Sequence, residues 1–287
     1  MSRQSESIER VIRYYDALGA AEWERLERNV RGRVSLEVHR RFLRRFVRPG
    51  MRVLEVGAGP GRFTLELAQL GASIVVTDIS PVQLALNAER LRGTDAERCV
   101  QRRELLDLCD TSRYRDGEFD AVVAFGGPLS YAFERTEEAL RGLLRIVGED
   151  GMVTASVMSL LGSWRHYLRA VSELDHAACA QANDLTLRTG DLRHVIADPA
   201  AHICQMFRWS EIEALLDRTG AGLLAASASN WASLGDPEAL AELETDPARW
   251  ARFLEHEVAA CSERGAVDGG THILFAATRL PGASAEA

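Results

Sequence analysis

One short stretch concentrates the residue types that could bind and position a ligand: Glu55-Val56-Gly57-Ala58-Gly59-Pro60-Gly61. Three glycines at alternate positions let a backbone turn tightly and approach a bound molecule closely. Glu55, just ahead of them, suits a ligand with a cationic amino group and would repel a pyrophosphate. Asp78 closes the next apolar run, 21 residues after Gly57. An acid at that place can accept hydrogen bonds from both hydroxyls of a ribose. Two further segments follow, Glu104-Leu105-Leu106-Asp107-Leu108 and Phe119-Asp120-Ala121-Val122-Val123-Ala124-Phe125. Later the chain carries Tyr131, then Trp164, His166, Tyr167, His176, His194 and His202, groups that can hold or deprotonate an aromatic acceptor. Each single histidine is more often a surface or core residue than a base, and Tyr131 can equally be a pocket wall. Arg188, Arg193 and Arg208 can meet a substrate carboxylate, although solvated charge is the default. No HxH, HExxH or CxxC spacing occurs, so no metal site is expected.

These residues need elements to place them. Arg52 to Val56 reads as a strand, with a helix from the glycine loop to about Leu70. Ser73 to Thr77 is a second strand, and Ser80-Pro81 opens a helix to about Leu91. Strand, helix, strand, helix is the crossover unit of a parallel sheet. Cys99 to Arg102 reads as a short strand. Phe119 to Phe125 is apolar almost throughout, as expected of a strand covered on both faces. A helix at about Arg135 to Val147 and a strand at Met152 to Ser159 continue the rhythm. Residues 160–207 break it, with one or two helices near Trp164 to Gln181 and a polar segment after them. The alternation resumes with a capping-box signature at Ser210 and Glu213, a strand near Leu223 to Ser229, a helix opened by Asp246-Pro247, and a strand at Ile273 to Thr278. Ahead of the sheet, Ile8, Val11, Ile12, Tyr15 and Leu18 recur at helical spacing, with Gly19 interrupting and a second helix at about Leu36 to Val47. Tyr14, Tyr15 and Trp23 there can close a pocket or simply pack. The expected division is a helical lid at 1–48, an α/β domain at 49–280 with a cap inserted at about 160–207, and a flexible tail at 281–287.

A formal charge of −8 and the absence of a basic stripe argue against nucleic acid as partner. No apolar run reaches transmembrane length, so no membrane partner is expected. The polar start lacks a secretory core, and the five scattered cysteines form no disulfide framework. A cytoplasmic location is the simplest expectation.

Taken together, Val53 to Gly61, Asp78, the 104–107 acids and Phe119 to Phe125 make the chain resemble the class I S-adenosylmethionine-dependent methyltransferases. The specific motifs cover about 50–159; from 208 to 279 the likeness is in element order. The resemblance implies a Rossmann-like, seven-stranded, mostly parallel sheet with helices on both faces and an antiparallel last strand. It implies S-adenosyl-L-methionine as cofactor, held by Glu55, Gly57, Gly59, Gly61, Asp78, Ile79, Glu104, Leu105 and Phe125, with Gly126 to Pro128 bordering the methyl. Tyr131, His166 and His176 are the catalytic candidates. Gly126-Gly127-Pro128-Leu129-Ser130-Tyr131 replaces the Asn/Asp-Pro-Pro-Tyr pattern of enzymes that methylate exocyclic amines, so a small-molecule acceptor is expected, its atom open. The N-terminal helices can lid one site or pack on a second copy as a homodimer. A nicotinamide-dependent oxidoreductase explains the glycines and Asp78 but not Glu55, and a methyltransferase of protein or RNA is the other alternative.

Overall fold

The computed structural model describes residues 3–174 and 179–280. His176 and the tail at 281–287 therefore lie outside the described residues. The chain opens with helices α1 (Arg3–Leu18), α2 (Ala21–Glu24) and α3 (Val30–Leu43). Then follow β1 (Arg52–Val56), α4 (Arg62–Gln69), β2 (Ser73–Asp78), α5 (Pro81–Leu91), β3 (Val100–Leu105), β4 (Phe119–Ala124), α6 (Thr136–Ile146) and β5 (Val147–Met158). The second half holds α7 (Leu160–His166), α8 (Leu168–Leu174), α9 (Ala180–Thr189), α10 (Trp209–Thr219), β6 (Ala221–Ala228), α11 (Pro237–Glu244), α12 (Pro247–Cys261) and β7 (His272–Arg279).

The seven strands form one sheet in the order β3-β2-β1-β4-β5-β7-β6. The first five run parallel, and β7 is antiparallel to both β5 and β6. Side chains alternate across a strand, so neighbouring residues feed opposite layers. Leu54, Val75 and Val122 pack with Leu140, Leu143, Ile212 and Leu215 of α6 and α10. Val53, Ile74 and Val123 pack with Val38, Phe42, Phe63 and Leu67 of α3 and α4. Central strands buried on both faces explain the unbroken apolar run at Phe119–Ala124.

The expected strands are present, but several elements differ locally: α3 begins six residues before the expected Leu36, β5 begins five residues before Met152, and residues 160–207 hold three helices rather than one or two. Helix α10 starts two residues earlier than the capping signature at Ser210 and Glu213 implies. Its N-cap is Arg208, whose backbone N–H donates to Glu211 Oε2 at 2.7 Å. A guanidinium has no acceptor to return the bond, so half of a capping box forms. Helix α11, capped by Asp236, is absent from the sequence reading. Strand β3 runs three residues further than expected, to Leu105, which pairs with Asp78. Among the described residues, no helix is long and apolar enough to cross a membrane.

Candidate active site

Parallel strands β1, β2 and β4 end at one edge of the sheet, and the chain there turns over a narrow cleft of about 100 Å³. The turn after β1 depends on glycine. Gly57 (φ +67°) would drive a Cβ to 2.6 Å from Pro128 Cγ, and Gly61 (φ +101°) to 2.8 Å from Leu91 Cδ1. Side chains rarely adopt that left-handed backbone, and here neighbouring atoms also forbid them. Gly59 differs: a Cβ there would have no heavy atom nearer than 3.9 Å.

Asp78 ends β2 and ties two turns together. Its Oδ2 accepts from Gly59 N–H and its Oδ1 from Ser80 N–H, both at 2.8 Å. Burial pushes its pKa up to about 6, against the opposing pull of these backbone donors. Gly57, Gly59, Asp78, Ile79, Phe125 and Tyr131 all line the cleft.

Glu55 lies beneath the loop rather than in its wall. Its Oε2 accepts from Thr64 Oγ1 at 2.7 Å, while Oε1 is buried without a hydrogen-bond partner. Burial pushes this carboxyl up to about 8, with the Thr64 hydrogen bond opposing. Thr64 is held in turn by Asn87, and Asn87 by Arg103, at 3.0 and 2.8 Å. Gly61 is likewise a turn residue behind the cleft. Glu104 is brought elsewhere: its oxygens accept from Tyr114 Oη and Arg102 Nε at 2.7 and 2.8 Å. Leu105 is 52% exposed. Leu106, Asp107 and Leu108 line the cleft instead.

The N-terminal helices close over this edge. Ile8, Val11, Tyr15 and Trp23 face the cleft. Trp23 is clasped between the guanidiniums of Arg62 and Arg90, at 3.8 and 4.5 Å from the ring centre. Such cation–π contacts contribute roughly 0.5–2 kcal/mol each. Ser80 Oγ donates to Asp16, and Gln83 Nε2 to the Tyr15 carbonyl, which bolt α1 to the start of α5. On its other side, α1 reaches residues 196–201 through Arg10.

Beyond Tyr15, Glu22 and Arg25, which border both spaces, lies a larger cavity of about 940 Å³. The α1–α3 segment, residues 160–207, residues 230–240 and the start of β7 contribute its walls. His166, Tyr167, His202 and His272 are on its walls. Tyr131 Oη, at the edge of the cleft, hydrogen-bonds Tyr15 Oη and lies 2.9 Å from His202 Nε2. Burial raises the pKa of both phenols, so they stay protonated. Burial lowers His202 to about 4, with Arg25 and Arg10 adding to the effect. His166 packs its ring on Tyr167 at 4.6 Å and is also lowered, chiefly by burial.

Of the candidate arginines, Arg193 is spent on Asp191 and Glu134, and Arg208 on the carbonyl of Leu187. Neither lines either space. His194 Nε2 lies 3.8 Å from Asp191. Glu22, Arg25, His39 and His272 were not visible as candidates. A Glu–Arg pair three apart on a short helix resembles any surface ion pair, and the two histidines become neighbours, 6.2 Å between rings, only through packing of α3 on β7. Among the described residues, no cluster of three or more metal-ligating side chains occurs.

Comparison with known proteins agrees with this architecture. Residues 53–151 match the family described as "Methyltransferase domain". A curated relative, the probable cobalt-precorrin-6B C(15)-methyltransferase (decarboxylating) of Thermoplasma acidophilum, is 29% identical over 120 residues, 40% of this chain and 57% of that protein. The chain spans 41–61% of the length of the curated relatives it matches. Among solved structures, the S-adenosylmethionine-dependent methyltransferase of Methanosarcina mazei superposes with a TM-score of 0.55 at 15% identity, covering 83% of this chain and 97% of that one. A structure titled a putative Zn-dependent alcohol dehydrogenase of Rhodobacter sphaeroides gives 0.59 at 18% identity, covering 96% and 98%. Likeness at that identity speaks for the fold alone. The strand order and the glycine loop at the carboxyl edge define a class I α/β methyltransferase architecture. Residues 53–151 thus carry a methyltransferase domain, set in a fold shared with S-adenosylmethionine-dependent methyltransferases.

Proposed function

We propose that this protein transfers a methyl group from S-adenosylmethionine to a small molecule enclosed under the N-terminal helices and the 160–207 insertion. The observation that carries this reading is the junction at Tyr15, Glu22 and Arg25. There a narrow cleft built on glycines and Asp78 opens into a mostly apolar cavity of about 940 Å³. Small-molecule sites typically have volumes of about 300–1,000 Å³. The residues present fit the methyl donor. The open side of Gly59 offers a backbone cradle, Asp78 stands at the strand end where a ribose diol is recognised, and the buried Glu55 Oε1 leaves an unfilled hydrogen-bonding atom below the loop. Gly57, Ile79, Phe125 and Asp107 complete the walls. When bound, S-adenosylmethionine supplies an electrophilic methyl, which an acceptor nucleophile takes as the carbon–sulfur bond breaks and S-adenosylhomocysteine leaves.

The chain's own residues supply position and dryness. Tyr131 acts as a protonated donor at the boundary of the two spaces, held by Tyr15 and His202, rather than as a base. His166 remains neutral near pH 7 and borders the cavity away from that boundary. A protein or RNA partner would have to thread an extended segment past α1 and α2. The name of one curated relative, the probable cobalt-precorrin-6B C(15)-methyltransferase, supports the same choice.

Calorimetry with S-adenosylhomocysteine and with NAD tests the reading. Binding of the former alone is expected, and Asp78→Ala should weaken it. Tight NAD binding with no S-adenosylhomocysteine binding would overturn it.

A further inference from the structure

Arg25 sits where the narrow cleft meets the large cavity and lines both. Its Nε donates to both oxygens of Glu22, at 2.7 and 3.0 Å. Among the described residues those are its hydrogen bonds, so the four Nη hydrogens are left for another acceptor. Although protein surrounds the group, 39% of its side-chain surface is accessible, as expected for a residue that walls a cavity. Nη2 lies 3.6 Å from where a Cβ of Gly126 would stand, beside the exit of β4.

Apart from Glu22, which already pairs with it, the titratable groups facing this guanidinium, Tyr14 among them, are donors or poor bases. From α1 and the turn after β4 come the Tyr15 and Tyr131 hydroxyls, whose pKa values are raised by burial. From α3, the insertion and β7 come His39, His202 and His272, all lowered by burial first and by Arg25 as well. Glu22, on α2, is the only carboxylate among the described residues that line the large cavity, against Arg25, Arg28, Arg31 and Arg33. Two of these cations are already engaged: Arg33 is paired with Glu244, and Arg31 donates to the Gly235 carbonyl. Arg25 is the cation that reaches the junction.

We infer that Arg25 takes the acceptor as an oxyanion, a phenolate or carboxylate on an apolar body, and is the residue that selects it. This rests on the methyl-transfer reading above and adds the acceptor's chemical class. An acceptor that arrives ionised has no proton to lose when its oxygen forms the new bond, so Glu22 can stay paired with Arg25 and need not act as a base.

The test uses 4-nitrophenol with the full-length protein and S-adenosylhomocysteine, following phenolate absorbance across pH. Wild type is expected to bind phenolate about tenfold more tightly than phenol, the range of a charge-assisted hydrogen bond pair. Arg25→Gln should abolish that preference, and Arg25→Lys should retain part of it. Glu22→Gln, which frees the guanidinium, should strengthen phenolate binding by about threefold at least. A merely structural pair would weaken binding in both directions. Equal binding of phenol and phenolate, no binding of the probe, a preference that survives Arg25→Gln, or weaker binding in Glu22→Gln would each overturn the inference. If Arg25→Gln does not fold, Glu22→Gln decides alone. Failure of wild type to bind S-adenosylhomocysteine would instead overturn the methyl-transfer reading.

Discussion

The narrow cleft is drawn from consecutive turns at the ends of β1, β2, β3 and β4, roofed by α1 and α2. The large cavity is drawn from α1 to α3, the insertion and the starts of α11 and β7. Backbone conformation shapes the first: glycines in left-handed geometry and a carboxylate bound to backbone N–H groups. Side chains from distant segments shape the second. A wall made of backbone is fixed by a few residues close together in sequence. A wall made of side chains can change its occupant by single substitutions while the sheet stays as it is.

The comparison can be broken most severely at Gly57. Gly57→Val forces a β-branched residue to φ +67° with its Cβ 2.6 Å from Pro128. The expected cost is about 2–5 kcal/mol, from backbone strain and overpacking together. Calorimetry should show S-adenosylhomocysteine affinity lost with it. Undiminished affinity would mean the turn is not what builds the cleft.

Next in size is Glu55→Gln. Glu55 ionises in the unfolded chain near 4.5 but in the fold only near 8. Between those values the native state holds a proton that the unfolded chain has lost. Stability therefore falls as pH rises through this window. Glutamine cannot ionise and should remove that fall. Its unfolding free energy from urea titration should match wild type near pH 4.5 and exceed it by the order of 2–4 kcal/mol at pH 9. A variant that tracks wild type at every pH would show that Glu55 stays ionised in the fold.

Trp23→Ala tests whether the lid holds the cleft. Losing the double guanidinium clasp should cost about 1–2 kcal/mol of S-adenosylhomocysteine binding, with little change in the urea midpoint of the sheet. Equal losses in both would make Trp23 ordinary core. The smallest effect is expected for Tyr131→Phe, about 1 kcal/mol of stability for the lost hydroxyl, with S-adenosylhomocysteine affinity nearly unchanged. A large affinity loss would place Tyr131 in the cleft's function rather than at its boundary.

What the sequence disclosed follows the same division. The loop at 57–61, Asp78 and the order of strands were readable because each is a local pattern. The third acidic position was misplaced, since Glu104 and Leu105 belong to β3 and the cleft begins at Leu106 and Asp107. The cause is that β3 is an edge strand with little buried surface, so no apolar alternation marks its end. Tyr131 and His202 were recognised as chemically capable, but their hydrogen bond joins segments 71 residues apart. Arg25 carried no signal at all, because its meaning comes from the two spaces it separates.

The antiparallel insertion of β7 has a consequence for how the chain is made. β5 is complete at Met158, yet its sheet partner begins only at His272. At about 5–20 residues per second of synthesis, the edge of β5 stays unpaired for roughly 6–23 s. Unpaired edges invite other strands. The five parallel strands can join first, and the newest strand must then enter between an older edge and β6. His272 reaches the cavity wall only at that moment, so the ribosome finishes the pocket long after it finishes the glycine loop.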